Sequence, residues 1–388
     1  MKKYFILAAA ALVTLASCMK NNADTTAYEQ GKVIGFNTVV NKATKAVSTV
    51  GPISGTVFSS GNDDFGVFAY YLSSGTWASH PDVTPAAYMS DVAVGFDDDL
   101  DIWAPASTYY WPLQGSLTFI AYWPKESATA TFSTGGVLTL SGFTQATTVA
   151  NQVDLLYSSI AADKQDNDAK YTDTANSKDS GDTKGVNIKF KHALSQVIFK
   201  AKASADVYSA GMSFKVNSIV VNAASTATSM TVTNPADGDV SANITTWNSP
   251  ATFVDYTVNT TAFPNATVAA GDGNFLTNDF TGPIGNALLM IPSKVAVPDT
   301  EPVQYTFAND PTVTITYTLY RKSDALAMGQ KSVTVHFNEI DSIVKCWEAG
   351  KKYEYDLTID LQKIYFNPTI TDWTDGGTQG VNVPDDAS

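Results

Sequence analysis

Cysteine is almost absent: Cys18 and Cys346 are the two in 388 residues. With Cys18 assigned to lipid attachment by the lipobox-like residues before it, no disulfide can form within the mature chain, and packing alone must hold the fold. Histidine is as scarce. His80, His192 and His336 sit on different segments, none paired at metal-ligand spacing, which excludes the common histidine-based metal sites. Positive charge is also in short supply, with 24 Lys and Arg against 38 Asp and Glu and a formal net charge of −14. Such a chain is a poor partner for nucleic acid or an anionic membrane surface. A G-x-S-x-G elbow, a phosphate-binding glycine loop and a dinucleotide fingerprint are all missing, so no cofactor is expected and nothing indicates an enzyme.

What the chain does have begins at its N-terminus. MKKYFILAAAALVTLASCMKNN joins basic Lys2 and Lys3 to an apolar run and then to small residues before Cys18. The pattern reads as a secretory signal over residues 1–17, and Leu15-Ala16-Ser17-Cys18 looks like a bacterial lipobox. Cleavage before Cys18 and acylation of its thiol would anchor the chain, at about 0.8 kcal/mol per buried CH₂. Residues 18–30 then form a polar tether.

Beyond the tether, strand signals recur between Gly, Pro, Asn and Ser. In KVIGFNTVV, Ile34, Phe36 and Val40 share one face, and the loop after it carries Lys42 and Lys45, both open to a trypsin-like protease. Phe65–Leu72 and Ser116–Pro124 are apolar on both faces, as central strands are; Gly136–Phe143 is a shorter strand. Residues 161–187 are polar and aperiodic, and divide the chain into an N-terminal domain over 31–187 and a C-terminal domain over 188–388. Ile188–Ala203 reads as one strand, although Ala193, Leu194, Val197 and Ile198 lie at helical spacing. Thr312–Tyr320, Ser332–Phe337 and Lys352–Gln362 alternate cleanly, each with one wet face. Val153–Lys164 is the best helical candidate. The expectation is an all-β protein of two tandem sandwiches.

Two clusters could bind something. Asp97, Asp99 and Asp101 in GFDDDLDIW are weak calcium candidates, lacking the glycine and terminal glutamate of a calcium loop. Trp77, Trp103, Trp111 and Trp123 gather in the first half, where they could stack on sugars or fill a core.

Four segments in order resemble the bacteroidal fimbrillin family, the FimA- and Mfa-like pilins of type V pili. After the lipobox come YYWPLQGSLTFIAYWP (Tyr109–Pro124), then VDLLYSS (Val153–Ser159) with FKHALSQVIFKAKA (Phe190–Ala203), then CWEAGKKYEYDLTIDLQKIYFNPTITDW (Cys346–Trp373). The resemblance implies two transthyretin-like β-sandwich domains and no catalysis. It implies a precursor lipid-anchored in the outer membrane through Cys18. A trypsin-like protease would then remove the first strand and loop, residues 31–45. The matching cut falls between Lys45 and Ala46, with Lys42 as the alternative site; the family usually has arginine there, so an arginine-specific enzyme would refuse this lysine. A strand donated by another pilin subunit would fill the vacated groove, against the contacts of Ile34, Phe36 and Val40, giving a head-to-tail fimbria that adheres to a host or bacterial surface ligand. The alternative is a surface glycan-binding lipoprotein of a polysaccharide-uptake system.

Overall fold

Runs of β-branched and aromatic residues become strands almost throughout, as their fit to a pleated, half-buried surface predicts. The structure, a computed structural model, describes residues 33–40, 64–78, 84–97, 102–166, 185–233, 245–258, 275–277, 279–281, 283–285, 287–296, 305–340 and 344–373. Through His192 the strands are β1 (Phe36–Val40), β2 (Phe65–Leu72), β3 (Ala86–Asp97), β4 (Ile102–Pro105), β5 (Ser116–Trp123), β6 (Thr129–Phe132), β7 (Val137–Ser141), β8 (Leu156–Ser158), β9 (Ala161–Lys164) and β10 (Val186–His192). Then follow β11 (Ser195–Ala203), the short helix α1 (Ala205–Ser209), β12 (Met212–Thr226), β13 (Ser229–Thr233), β14 (Thr245–Asn248) and β15 (Ala251–Val258). The last are β16 (Leu288–Met290), β17 (Val295–Ala296), β18 (Tyr305–Thr306), β19 (Thr312–Arg321), β20 (Leu326–His336), β21 (Lys351–Ile359) and β22 (Ile364–Asp372).

The first sheet runs β2-β3-β4-β1-β10-β8-β5-β9, and β2 also pairs with β5. That extra ladder, from Gly66↔Tyr122 to Leu72↔Ser116, closes seven strands on themselves. Alternate side chains point into the closure: Phe65 and Val67 from β2, Leu117 and Phe119 from β5, and Val186, Ile188 and Phe190 from β10 all join one buried cluster. The opposite faces of β2 and β5, with Phe68, Ile120 and Tyr122, pack against Phe132, Leu138, Leu140, Met230 and Val232. Those last residues belong to the sheet β14-β13-β7-β6, in which β7 and β13 pair antiparallel.

The remaining large core lies between β16-β11-β21-β22 and β15-β12-β19-β20. Trp347 is buried at its centre, edge-on to Phe307 and Phe337, and its Nε1 donates to the Tyr355 hydroxyl at 3.1 Å. The buried indole therefore has its partner, as burial of a polar N–H requires.

Several expectations need correction. Ile188–Ala203 is two strands in two sheets, turned at the buried pair Ala193 and Leu194. The helical spacing noted there is the corner between cores: Ala193 and Leu194 fill one cluster and Val197 another. Val153–Lys164 contains β8 and β9 instead of a helix. Leu155 and Leu156 face different cores, a requirement that successive strand residues meet and helical ones do not. The expected division at 187/188 falls inside β10, and the sheet containing β7 and β13 draws strands from both sides of it.

Candidate functional site

The seat of β1 is built from β10 on one side and β4 on the other. β1 runs parallel to β10 over its whole length, from Phe36↔Val186 to Val40↔Phe190. It meets β4 antiparallel at Phe36↔Trp103. Just upstream, Val33 bridges to Tyr110, and the Ile34 amide donates to the Tyr109 carbonyl at 2.9 Å. The Val186 amide donates to the Gly35 carbonyl at 2.8 Å. The strand is thus hydrogen-bonded into the sheet from its first residues.

Its side chains complete the core inside the closure. Ile34 and Phe36 are fully buried. The Phe36 ring stands edge-on to Phe65 (6.0 Å, 83°) and to Phe119 (5.5 Å, 84°). Behind them, Phe65 contacts Trp103 at 5.3 Å and Phe190 at 5.6 Å, and Trp111 meets Phe119 at 5.9 Å. Edge-to-face contacts of this kind add roughly 0.5–1.5 kcal/mol each beyond area burial. Burial of Ile34 and Phe36 contributes about 1.5–3 kcal/mol apiece.

Gly185, immediately before β10, makes the approach of the two backbones possible. It adopts φ +114°, and a Cβ built on it would overlap the Gly35 carbonyl and the Phe36 nitrogen. Sequence reasoning found the strand but missed this glycine and the parallel partner; the signal available was Gly185-Val186-Asn187 echoing Gly35-Phe36-Asn37.

The far end of β10 carries a second junction. The His192 imidazole stacks on the Trp373 indole (3.6 Å, 7°), and its Nδ1 lies 2.7 Å from Asp154 Oδ2. The Trp373 amide donates to the Gly350 carbonyl at 2.9 Å. The end of the described chain is therefore pinned beside the strand that holds β1.

Of the other candidate residues, Cys18, Lys42, Lys45, Ala46, Asp99 and Asp101 lie outside the described residues, as do the side chains of Val40 and Asp97. Among the described residues no three His, Cys, Asp or Glu side chains form a metal-holding group. Trp77, Trp103, Trp111 and Trp123 are each at most 8% exposed, so they serve the cores and offer no stacking platform to a sugar. The Cys346 thiol is pushed up to about 11, chiefly by burial and then by Glu348, against the opposing effect of Lys294. In a Cys18→Ser protein at pH 8, Cys346 should react with a disulfide reagent roughly a hundredfold more slowly than after denaturation, because little thiolate forms. Equal rates in the folded and denatured protein would show an accessible, ordinary thiol.

The fimbrillin-like family matches residues 44–373, most of the chain. The protein belongs to that family of fimbrial proteins. Over 138 residues it is 28% identical to the fimbrium subunit Fim1C of Phocaeicola vulgatus, a stretch covering 35% of this chain and 34% of that subunit. The aligned part thus spans about a third of the curated relative's length. A fimbrial protein from Bacteroides vulgatus has a similar fold, with a TM-score of 0.55 and 18% identity over 88% of this chain and 99% of that one.

Proposed function

We propose that this chain is the precursor of a cell-surface fimbrial subunit whose first strand is a removable plug. The precursor is anchored in the outer membrane through an acylated Cys18. A trypsin-like protease cuts at Lys45, or at Lys42, and frees residues up to that point. β1 then leaves, and a strand from another copy takes its seat. Repetition head-to-tail gives a filament, since the contact uses two different surfaces and does not close. The mature fimbria contributes to adhesion at the cell surface.

The observation that carries this reading is the place of β1 in the sheet. It closes the ring between β4 and β10 with two fully buried side chains, yet precedes the rest of the fold in the chain. Its departure would leave β4 and β10 as two open ends over an apolar core. Such open edges invite another strand, and backbone hydrogen bonds with alternate pockets would hold it. The family match, from 44 to 373, contains the seat and excludes both the plug and the last residues of the chain.

Limited trypsin treatment of soluble precursor, made without the lipid, tests it. Cutting in the 42–45 loop should convert monomer into oligomers that survive dilution, and Lys42→Ala/Lys45→Ala should stay monomeric. On cells, the mature N-terminal residue should be Ala46. Clean cleavage that leaves only monomers would overturn the proposal.

A further inference from the structure

Three exposed rings carry a cation: Phe280 lies under Lys202, Tyr305 under Lys294 and Tyr365 under Lys363. One rim of the closed sheet is different. Val33 (45% exposed), Tyr110 (50%) and Leu113 (57%) gather where β1 begins. Val33 bridges to Tyr110, whose carbonyl accepts from the Tyr88 hydroxyl at 2.5 Å. The Tyr88 ring lies 6.2 Å from that of Tyr109, and Tyr71 packs over Gly115, two residues from Leu113.

Charge is kept away from this rim. Residues 102–124 include no Asp, Glu, Lys or Arg, and neither do residues 71–78 or 84–90. β9 brings Asp163 and Lys164 to the rim beside β5, with Asp166 just after them, and Asp163 accepts from the Trp77 amide. The turn between Asp97 and Ile102, which carries the acidic run, joins β3 to β4 at the opposite rim.

We propose that this tyrosine-lined rim is a membrane-docking face, seated in the headgroup layer of the outer membrane while the precursor is anchored. The proposal rests on the anchored-precursor reading above. Val33 belongs to the patch and is also the first described residue after the tether. Its distance from Cys18 is 33 − 18 = 15 residues, at most about 54 Å when fully extended. The anchor therefore draws this rim toward the bilayer. The other rim is farther by the 8 residues of β5, about 27 Å.

The chemistry suits that layer. Tyrosine has an apolar ring for the acyl boundary and a hydroxyl for water, which places it at membrane interfaces. Leu113 supplies an aliphatic contact beside it. A chain of net charge −14 is repelled by anionic lipid, and a rim poor in carboxylates lets it approach. Anchoring makes the contact intramolecular, so a small patch suffices. When β1 leaves, Val33 and the tether leave with it, and docking ends in the same step as release.

The test holds soluble protein, with a histidine tag in place of Cys18 and with Cys346→Ser, on phosphatidylcholine vesicles. The vesicles contain a nickel-chelating lipid and a nitroxide-labelled lipid. A fluorophore is attached at Gln114→Cys, beside Leu113, or at Glu126→Cys, past the other end of β5; both positions are exposed. The nitroxide should quench the label at 114 strongly and the label at 126 weakly. High salt should leave that difference unchanged, since no charge pair holds the contact. Leu113→Asp should lower the docked fraction about tenfold, the worth of one buried leucine, with the amount of tethered protein unchanged. Equal quenching at 114 and 126 overturns the docking face. So does loss of the difference in high salt, or a Leu113→Asp protein quenched as strongly as its parent. None of these outcomes bears on the anchor, because the tag replaces it. The anchor is read in cells by alkyne-palmitate labelling, which should mark the natural chain and miss Cys18→Ser. A natural chain that takes no label overturns the anchor and the docking together, and leaves the seat of β1 standing.

Discussion

Phe36→Ala is expected to lower the unfolding free energy of the protein by about 3–5 kcal/mol, the range for deleting a buried phenylalanine ring. The ring is fully buried, edge-on to two other phenylalanines, and its residue pairs with Trp103 across the sheet. Alanine would leave a cavity at the point where the ring of strands closes. The effect has a ceiling, however. If the weakened strand simply detaches, the loss stops at the total contribution of β1, and the body unfolds as it would without that strand. Denaturant titration measures the loss, and hydrogen exchange at the Val186 amide, bonded to Gly35, shows whether the strand has gone. Tyr365→Ala on β22, where the side chain is 49% exposed, is the comparison, with an expected change within about 0.5 kcal/mol. If the two variants proved equally mild, β1 would not be seated as described.

Gly185→Val should be more damaging still, and differently so. Phe36→Ala removes one side chain of β1, whereas a side chain at 185 obstructs the strand itself, because it meets backbone atoms. Two costs add. A residue other than glycine at positive φ is disfavoured by about 1–2 kcal/mol. The overlap with the Gly35 carbonyl and the Phe36 nitrogen has no flexible side chain to yield. Gly142→Ala separates the two, since Gly142 also has positive φ (+79°) but nothing within 4 Å of its missing Cβ. Gly142→Ala should cost only the conformational part. Gly185→Val should expel β1 and expose its segment to proteases at low doses. The second large core, centred on Trp347 and built from β11 onward, should keep its stability, which near-UV circular dichroism would follow. A Gly185→Val protein no less stable than Gly142→Ala would remove the steric argument.

Legibility differed from element to element. Thr312–Arg321 and Lys351–Ile359 alternate without interruption, and both are strands with Ile315, Tyr317, Tyr353, Tyr355 and Leu357 buried. β12, the longest strand among the described residues, was not recognised from the sequence, and a bulge between Val216 and Ser218 changes the parity of its buried residues. Phe214 and Val216 face inward before the bulge; Ile219, Val221 and Ala223 do so after it. A period-two reading loses count at such a place. The four tryptophans of the first half could not be assigned to core or surface from spacing alone. Burial depends on which sheet covers them, and here each is covered. The first strand was legible from Ile34 and Phe36 sharing one face; its partners β4 and β10 were not.

By itself the amino-acid order determined that the protein is β-rich, where most of its strands run, and that Ile34 and Phe36 share an apolar face ahead of the lysine loop. Alternation of side chains is a property of each strand's own backbone, so it can be read locally. Only the tertiary structure decided that β1 lies between β4 and β10, parallel to a strand about 150 residues away, and that β2 meets β5 to close the ring. Pairings of that kind depend on how distant segments share one core and on where a backbone such as that of Gly185 leaves room. No local pattern encodes either.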